Sequence, residues 1–229
     1  MAQLILALDT PSVDQALALV DRIGGDADFY KVGLELYTRA GRTVVDELRA
    51  RRKRVFLDLK LHDIPNTVAG AVAAASDLGV DLLTLHAAGG RAMLEAARSV
   101  RGGPLQLLGV TVLTSLAAED LGAAWGRSVA SVPTEVLRLA QSVEDAGLDG
   151  VVSSVQEVAS LRARFGNDFL LVAPGIRLPE SERGDQKRVA TPAEAVRAGA
   201  NYLVVGRAVT GALDPIAALA AVHADMARG

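Results

Sequence analysis

The feature that most constrains this chain is an alternation of eight short, apolar, β-prone runs with eight amphipathic stretches of helical period. The runs are 4–8, 29–34, 55–59, 82–85, 105–112, 150–152, 169–172 and 202–205. Between them the spacing of apolar residues predicts helices over 13–23, 40–50, 67–78, 92–100, 133–146, 156–164, 192–198 and 216–226. Ser12, Asp63 and Thr191 stand where N-caps are expected, and Gly79, Gly147 and Gly199 where helices stop. Strands that read as near-continuous apolar runs are buried on both faces, as in a parallel sheet covered by helices. Eight such units in 229 residues predict an α/β fold, a single-domain (β/α)8 TIM barrel spanning 1–229. A doubly wound open sheet is the alternative, but no Gly-x-Gly-x-x-Gly follows the first strand.

Composition narrows the function classes. A net charge of −3 leaves no expectation of a basic face, so neither nucleic acid nor a membrane surface is an expected partner. No apolar run approaches the roughly 20 residues that span a bilayer. The chain enters its first strand without a basic leader, so no signal peptide is expected and a cytoplasmic location is. With no cysteine there is neither a disulfide nor thiolate chemistry. Three scattered histidines, His62, His86 and His223, form no metal motif, and neither a metal nor a cofactor is expected. His86 could pair with a neighbouring carboxylate, in a structural role behind the site. Trp125 is read as packing within an irregular segment after the fifth strand.

In (β/α)8 barrels the active site lies at the C-terminal ends of the strands. Polar residues at those ends are therefore the candidates: Asp9, Lys31, Asp58 with Lys60, Thr84 with His86, and Thr111 with Thr114. Residues 58–67 read Asp-Leu-Lys-Leu-His-Asp-Ile-Pro-Asn-Thr. Strand alternation puts Phe56, Asp58 and Lys60 on one side, and Asp63 precedes Pro65 at the start of a helix. Carboxylates around an ammonium favour its charged form and make it a proton donor for a strong base. A structural ion pair and an N-cap would be the bland explanation. Two Asp–Lys pairings on adjacent strand ends are an expensive way to stabilise a core, however, and catalysis accounts for them better. The chain has only four lysines, Lys31, Lys53, Lys60 and Lys187, and two of them fall among these positions.

Loops after strands seven and eight of such barrels often bind phosphate. Here they carry Ala173-Pro174-Gly175-Ile176-Arg177, a polar stretch over 178–188 containing Gly184 and Gln186, and Gly206-Arg207. Glycine lets the backbone approach an anion, and arginine supplies a bidentate fork. A polar connection of roughly 15 residues is longer than most and reads as a lid over a ligand.

The chain resembles orotidine 5′-phosphate decarboxylase of the bacterial form over essentially its whole length. The matching segments are Leu6–Asp9, Lys31–Gly33, Asp58–Val68, His86–Gly90, Val110–Ser115, Pro174–Arg177, Gly184–Gln186 and Val205–Arg207, of which Asp58–Val68 is the most specific. The resemblance implies a cofactor-free decarboxylation of orotidine 5′-monophosphate to uridine 5′-monophosphate and CO2, the last step of de novo pyrimidine synthesis. It implies Lys60 as the proton donor to C6 and Asp58 against the departing carboxylate. It implies a homodimer with shared sites, in which Asp63 enters the partner's pocket and Thr67 touches ribose. Asp9 and Lys31 would hold the ribose hydroxyls and complete the charge chain, with Thr114 on the pyrimidine. Arg177, Gln186, Gly206 and Arg207 would grip the phosphate. Two rivals are a magnesium-dependent decarboxylase or aldolase acting on sugar phosphates on a similar barrel, and a nucleotide-binding regulator without catalysis.

Overall fold

Parallel pairing runs from strand to strand around a closed barrel, β1-β2-β3-β4-β5-β6-β7-β8 and back to β1. The computed structural model describes residues 2–178 and 188–229. Its strands are β1 (Gln3–Leu8), β2 (Phe29–Gly33), β3 (Arg54–Leu61), β4 (Leu82–His86), β5 (Gln106–Val110), β6 (Gly150–Val152), β7 (Leu170–Ala173) and β8 (Tyr202–Val205). The helices are α1 (Val13–Ile23), α2 (Leu34–Ala40), α3 (Thr43–Ala50), α4 (Pro65–Asp77), α5 (Arg91–Val100), α6 (Ala118–Trp125), α7 (Val132–Asp145), α8 (Val155–Phe165), α9 (Pro192–Ala198), α10 (Arg207–Thr210) and α11 (Pro215–Met226).

Alternation along each strand divides the apolar residues between two cores. Ile5, Ala7, Phe29, Phe56, Leu82, Leu108, Val172, Tyr202 and Val204 fill the barrel interior, where Tyr202 meets the Phe29 ring edge-on at 5.8 Å. Their strand neighbours, among them Leu6, Leu8, Tyr30, Val32, Leu57, Leu83 and Leu85, pack outward against the helices. Each fully buried side chain of this size contributes about 1.5–3 kcal/mol of transfer free energy. The interior parity is what aims the site: residues continuing the inward series past the apolar layer are Asp9, Lys31, Asp58, Thr84 and His86.

Several elements differ from the sequence reading. The stretch after β2 forms two helices, because Gly41 closes α2 with a φ of 55° that only glycine adopts readily. Residues 118–125 form a helix ended by left-handed Gly126, so Trp125 is a helical residue rather than part of an irregular segment. It does pack against the outer core, with the Arg127 guanidinium 5.0 Å from its ring. Ser12 caps α1 by accepting from the Gln15 N–H, and Thr191 with Glu194 forms a reciprocal capping box on α9. Asp63 is not an N-cap: Pro65 takes the first helical position, which puts Ile64 in the cap, and among the described residues Asp63 accepts only from the Ile64 N–H at 2.6 Å. Strand β3 runs on to Leu61 because a register irregularity between Leu57 and Leu61 extends it.

Candidate active site

A cavity of about 260 Å3 opens at the C-terminal mouth of the barrel. Asp9, Lys31, Asp58 and Lys60 line one side, Thr114 another, and Gly175, Arg177, Gly206 and Arg207 a third. The interior layer supplies its apolar floor through Phe56, Val110, Val152 and Val204. Residues drawn from strands one, two, three, five, seven and eight of the sequence reading therefore meet in one place.

The four charged residues form a line of alternating sign. Lys31 Nζ lies 2.9 Å from Asp9 Oδ1 and 3.7 Å from Asp58 Oδ2, and Lys60 Nζ donates to Asp58 Oδ1 at 2.9 Å. The adjacent strand register sets this order, since Ala7 pairs with Lys31 and Gly33 with Asp58. Gly33 makes room for it: a Cβ at that position would sit 2.8 Å from Lys31 Nζ and 3.3 Å from Asp9 Oδ1. Lys31 is buried, whereas the Asp9 side chain is 56% exposed, so water weakens the outer end of the line.

Burial alone would push the Asp58 carboxyl up, but Lys31, Lys60 and the hydrogen bonds from Lys60 and Thr84 outweigh it and hold it below its ordinary value. Asp58 is therefore a carboxylate at neutral pH. Among the described residues His86 makes no hydrogen bond or ion pair to a carboxylate, although the Asp58 charge reaches it and opposes part of the lowering of its pKa. Its ring lies 5.3 Å from that of His62, and desolvation, with the positive potential of His62 and Lys60, lowers its pKa.

Lys60 reaches the cavity from an unusual backbone. Its φ is 51°, the left-handed region that costs a non-glycine residue about 1–3 kcal/mol. Opposite it on β4, the fully buried Thr84 donates to Asp58 Oδ1 at 2.9 Å and accepts from the Lys60 N–H at 2.9 Å.

The side of the cavity after β7 is framed by Gly175, whose φ of 80° favours glycine, and by Arg177. The Arg177 N–H donates to the Ala190 carbonyl and the Ala190 N–H to the Gly175 carbonyl, which ties together the two ends of the long polar connection. Arg188 adds an ion pair to buried Glu157 at 2.5 Å and hydrogen bonds to the carbonyls of Val112 and Leu113, just before Thr114. Gln186 and Gly184, expected at the phosphate, lie outside the described residues, as does most of the expected lid.

Asp63 and Thr67 do not line this cavity; both are exposed, at and just before the first turn of α4. Ser153 was missed from the sequence. It is buried just past β6, lines the cavity, and its hydroxyl has no partner among the described residues. A serine after a strand reads as turn chemistry, so no local signal singled it out. Thr111 turns out to be structural, its hydroxyl donating to the Val152 carbonyl at 2.9 Å.

The model of the orotidine 5′-phosphate decarboxylase / HUMPS family matches residues 2–222. The chain belongs to this family. It is 51% identical to an orotidine 5′-phosphate decarboxylase of Laribacter hongkongensis, over 99% of this chain and 94% of that one. A second such enzyme, from Chromobacterium violaceum, is 50% identical over 97% of this chain and 90% of its own length. Among solved structures, orotidine 5′-phosphate decarboxylase from Lactobacillus acidophilus superposes with a TM-score of 0.86 at 36% identity, covering 99% of both chains. The family assignment thus agrees with the resemblance carried by residues 58–68, and the barrel with the expected fold.

Proposed function

We propose that this chain decarboxylates orotidine 5′-monophosphate to uridine 5′-monophosphate and CO2, the closing step of de novo pyrimidine synthesis, with 1–229 acting as one catalytic domain in the cytoplasm. The observation that carries the reading is the line Asp9–Lys31–Asp58–Lys60, a fixed carboxylate and a fixed ammonium 2.9 Å apart over an apolar floor. The C6–carboxylate bond breaks heterolytically, CO2 leaves, and the electron pair stays on C6. A carbanion without a delocalising group needs preorganised positive charge, and the Lys60 ammonium supplies it. The same ammonium then gives its proton to C6, and the resulting amine regains one from solvent. Asp58 faces the substrate carboxylate; their repulsion in the ground state disappears as neutral CO2 forms.

In this reading Arg177, Gly206 and Arg207, together with Gln186, grip the phosphate, Asp9 and Lys31 hold the ribose hydroxyls, and Thr114 meets the pyrimidine. Binding energy gathered at the phosphate supports the chemistry at C6. A homodimer completes the site. Exposed Asp63 and Thr67 flank Ile64, which is 66% exposed, and Leu34, the first residue of α2 just past the neighbouring strand, is 54% exposed. An apolar, exposed rim beside two polar residues suits contact with a second copy, whose pocket Asp63 would enter.

Mixing purified protein with orotidine 5′-monophosphate should bleach the orotate absorbance and release one CO2 per substrate, and Lys60→Ala should abolish turnover while retaining binding. The rival is a magnesium-dependent decarboxylase or aldolase acting on sugar phosphates on a similar barrel. No group of three or more metal-ligating side chains occurs among the described residues. Turnover that survives exhaustive EDTA supports the decarboxylase; turnover that EDTA abolishes and magnesium restores supports the rival.

A further inference from the structure

The pairing of β3 with β4 skips. Leu57 pairs with Leu83 and Leu61 with Leu85, so three residues of β3, Asp58, Leu59 and Lys60, stand opposite the single residue Thr84. A bulge of this kind leaves backbone groups without their ladder partners and bends the strand. Thr84 supplies what the ladder does not. Its one hydroxyl accepts from the Lys60 N–H and donates to Asp58 Oδ1, each at 2.9 Å, closing both ends of the excursion. The oxygen it contacts on Asp58 is the same one that receives the Lys60 ammonium. Thr84 is fully buried and does not line the cavity, so it is placed to act on these two residues and not on a substrate.

We propose that Thr84 is a positioning residue for the reaction at Lys60. Its hydroxyl clamps the β3 bulge, holds Lys60 in the left-handed conformation that aims Nζ into the cavity, and fixes the Asp58 oxygen against that ammonium. This inference rests on the decarboxylase reading for its kinetic consequences, but not for its structural one. A side chain locked through one buried hydroxyl is the support that keeps a reacting group within a fraction of an ångström, and displacement by about 1 Å is known to cost on the order of 100-fold in rate. The groups facing Asp58 are Lys31 from β2, with Asp9 of β1 behind it, Lys60 from β3, and Thr84 and His86 from β4. Loss of the hydroxyl removes one of the hydrogen bonds that favour the Asp58 carboxylate, so a rate limb governed by Asp58 moves to higher pH.

The full-length protein is compared as wild type, Thr84→Val, which keeps the shape, and Thr84→Ser, which keeps the hydroxyl. With orotidine 5′-monophosphate, Thr84→Val should lower kcat about 10- to 100-fold with KM within about threefold, and shift the acid limb of kcat/KM upward. Thr84→Ser should stay within about threefold of wild type in kcat. Hydrogen exchange at the Lys60 amide, followed by NMR, should be slow in wild type and Thr84→Ser and fast in Thr84→Val. Equal impairment of the two variants, a change in KM alone, or a Lys60 amide still protected in Thr84→Val overturns the proposal. If Thr84→Val does not fold, Thr84→Ala is read in the same assays. If wild type leaves orotidine 5′-monophosphate untouched, the decarboxylase reading falls, and the amide exchange still decides whether Thr84 holds Lys60.

Discussion

Replacing Lys31 by methionine keeps most of the aliphatic stem and removes the central positive charge of the site. Its 3.7 Å approach to Asp58 corresponds to a gross attraction of about 4–5 kcal/mol at an effective dielectric constant near 20. The shorter contact to Asp9 adds little, about 0–1 kcal/mol, because that carboxylate is 56% exposed. Against these stands the desolvation of a buried ammonium, several kcal/mol that the methionine avoids. Asp58 also keeps Lys60 and Thr84. The net expectation is a loss of about 1–3 kcal/mol near neutral pH, or a drop in Tm of roughly 4–8 °C at the middle of that range for a chain of this size. The pH dependence gives a sharper test. Asp58 is held below its ordinary value of 3.8, so its contribution is complete above that pH and is lost as pH falls through the folded value. The gap between wild type and Lys31→Met should therefore be full near neutrality and close as the pH drops below about 4. Differential scanning calorimetry from neutral to acid pH reads both quantities. A variant that melts with wild type at neutral pH, or a gap unchanged at the acid end, refutes the account of Asp58 as a carboxylate dependent on Lys31.

Arg207→Ala should raise KM and lower kcat/KM by about 10- to 10⁴-fold in steady-state assays, from the loss of one or two charge-assisted hydrogen bonds of about 1.5–3 kcal/mol each; unchanged kinetics remove Arg207 from the phosphate grip. Inactive Lys60→Ala and Asp63→Asn proteins, unfolded and refolded together, should recover about a quarter of wild-type activity, because half the dimers are mixed and each mixed dimer has one intact pocket. A refolded mixture as inactive as its parents after verified exchange places Asp63 in its own subunit's chemistry. His86 has its pKa lowered from 6.5, so the folded state resists its protonation and stability declines as pH falls through about 6.5 toward the folded value. His86→Asn should flatten that part of the Tm-against-pH curve, and an unaltered slope shows that His86 contributes none of it.

The charged line was legible because charges within apolar strands have few explanations. Asp9, Lys31 and Asp58 continue inward-facing series, and counting by twos along each run puts them in one mouth. The barrel itself was legible from the alternation of its elements. What stayed hidden was held by contacts distant in sequence. Nothing in Leu59-Lys60-Leu61 announces a left-handed residue; the conformation comes from a strand partner 24 residues away. Thr84 showed only as a polar residue at a strand end, and Ser153 not at all, since each acquires its role from what surrounds it in space. The misread cap has a local cause: Asp is a good N-cap in general, but Pro65 fixes the helix start and moves the cap to Ile64.

The β3 bulge has a consequence for how this strand tolerates insertions and deletions. It adds two residues, an even number, relative to β4, so Leu61 still packs outward beside Leu85 and Lys60 still points inward. Side-chain parity in a strand has period two, and a change of one residue reverses every position beyond it. Removing Leu59 alone would send Lys60 toward the helices and Leu61 into the mouth, exchanging an ammonium for an isobutyl group at the centre of the charge line. In this strand, change of length is permitted only in pairs, and the reading frame of the two faces is itself part of the active site.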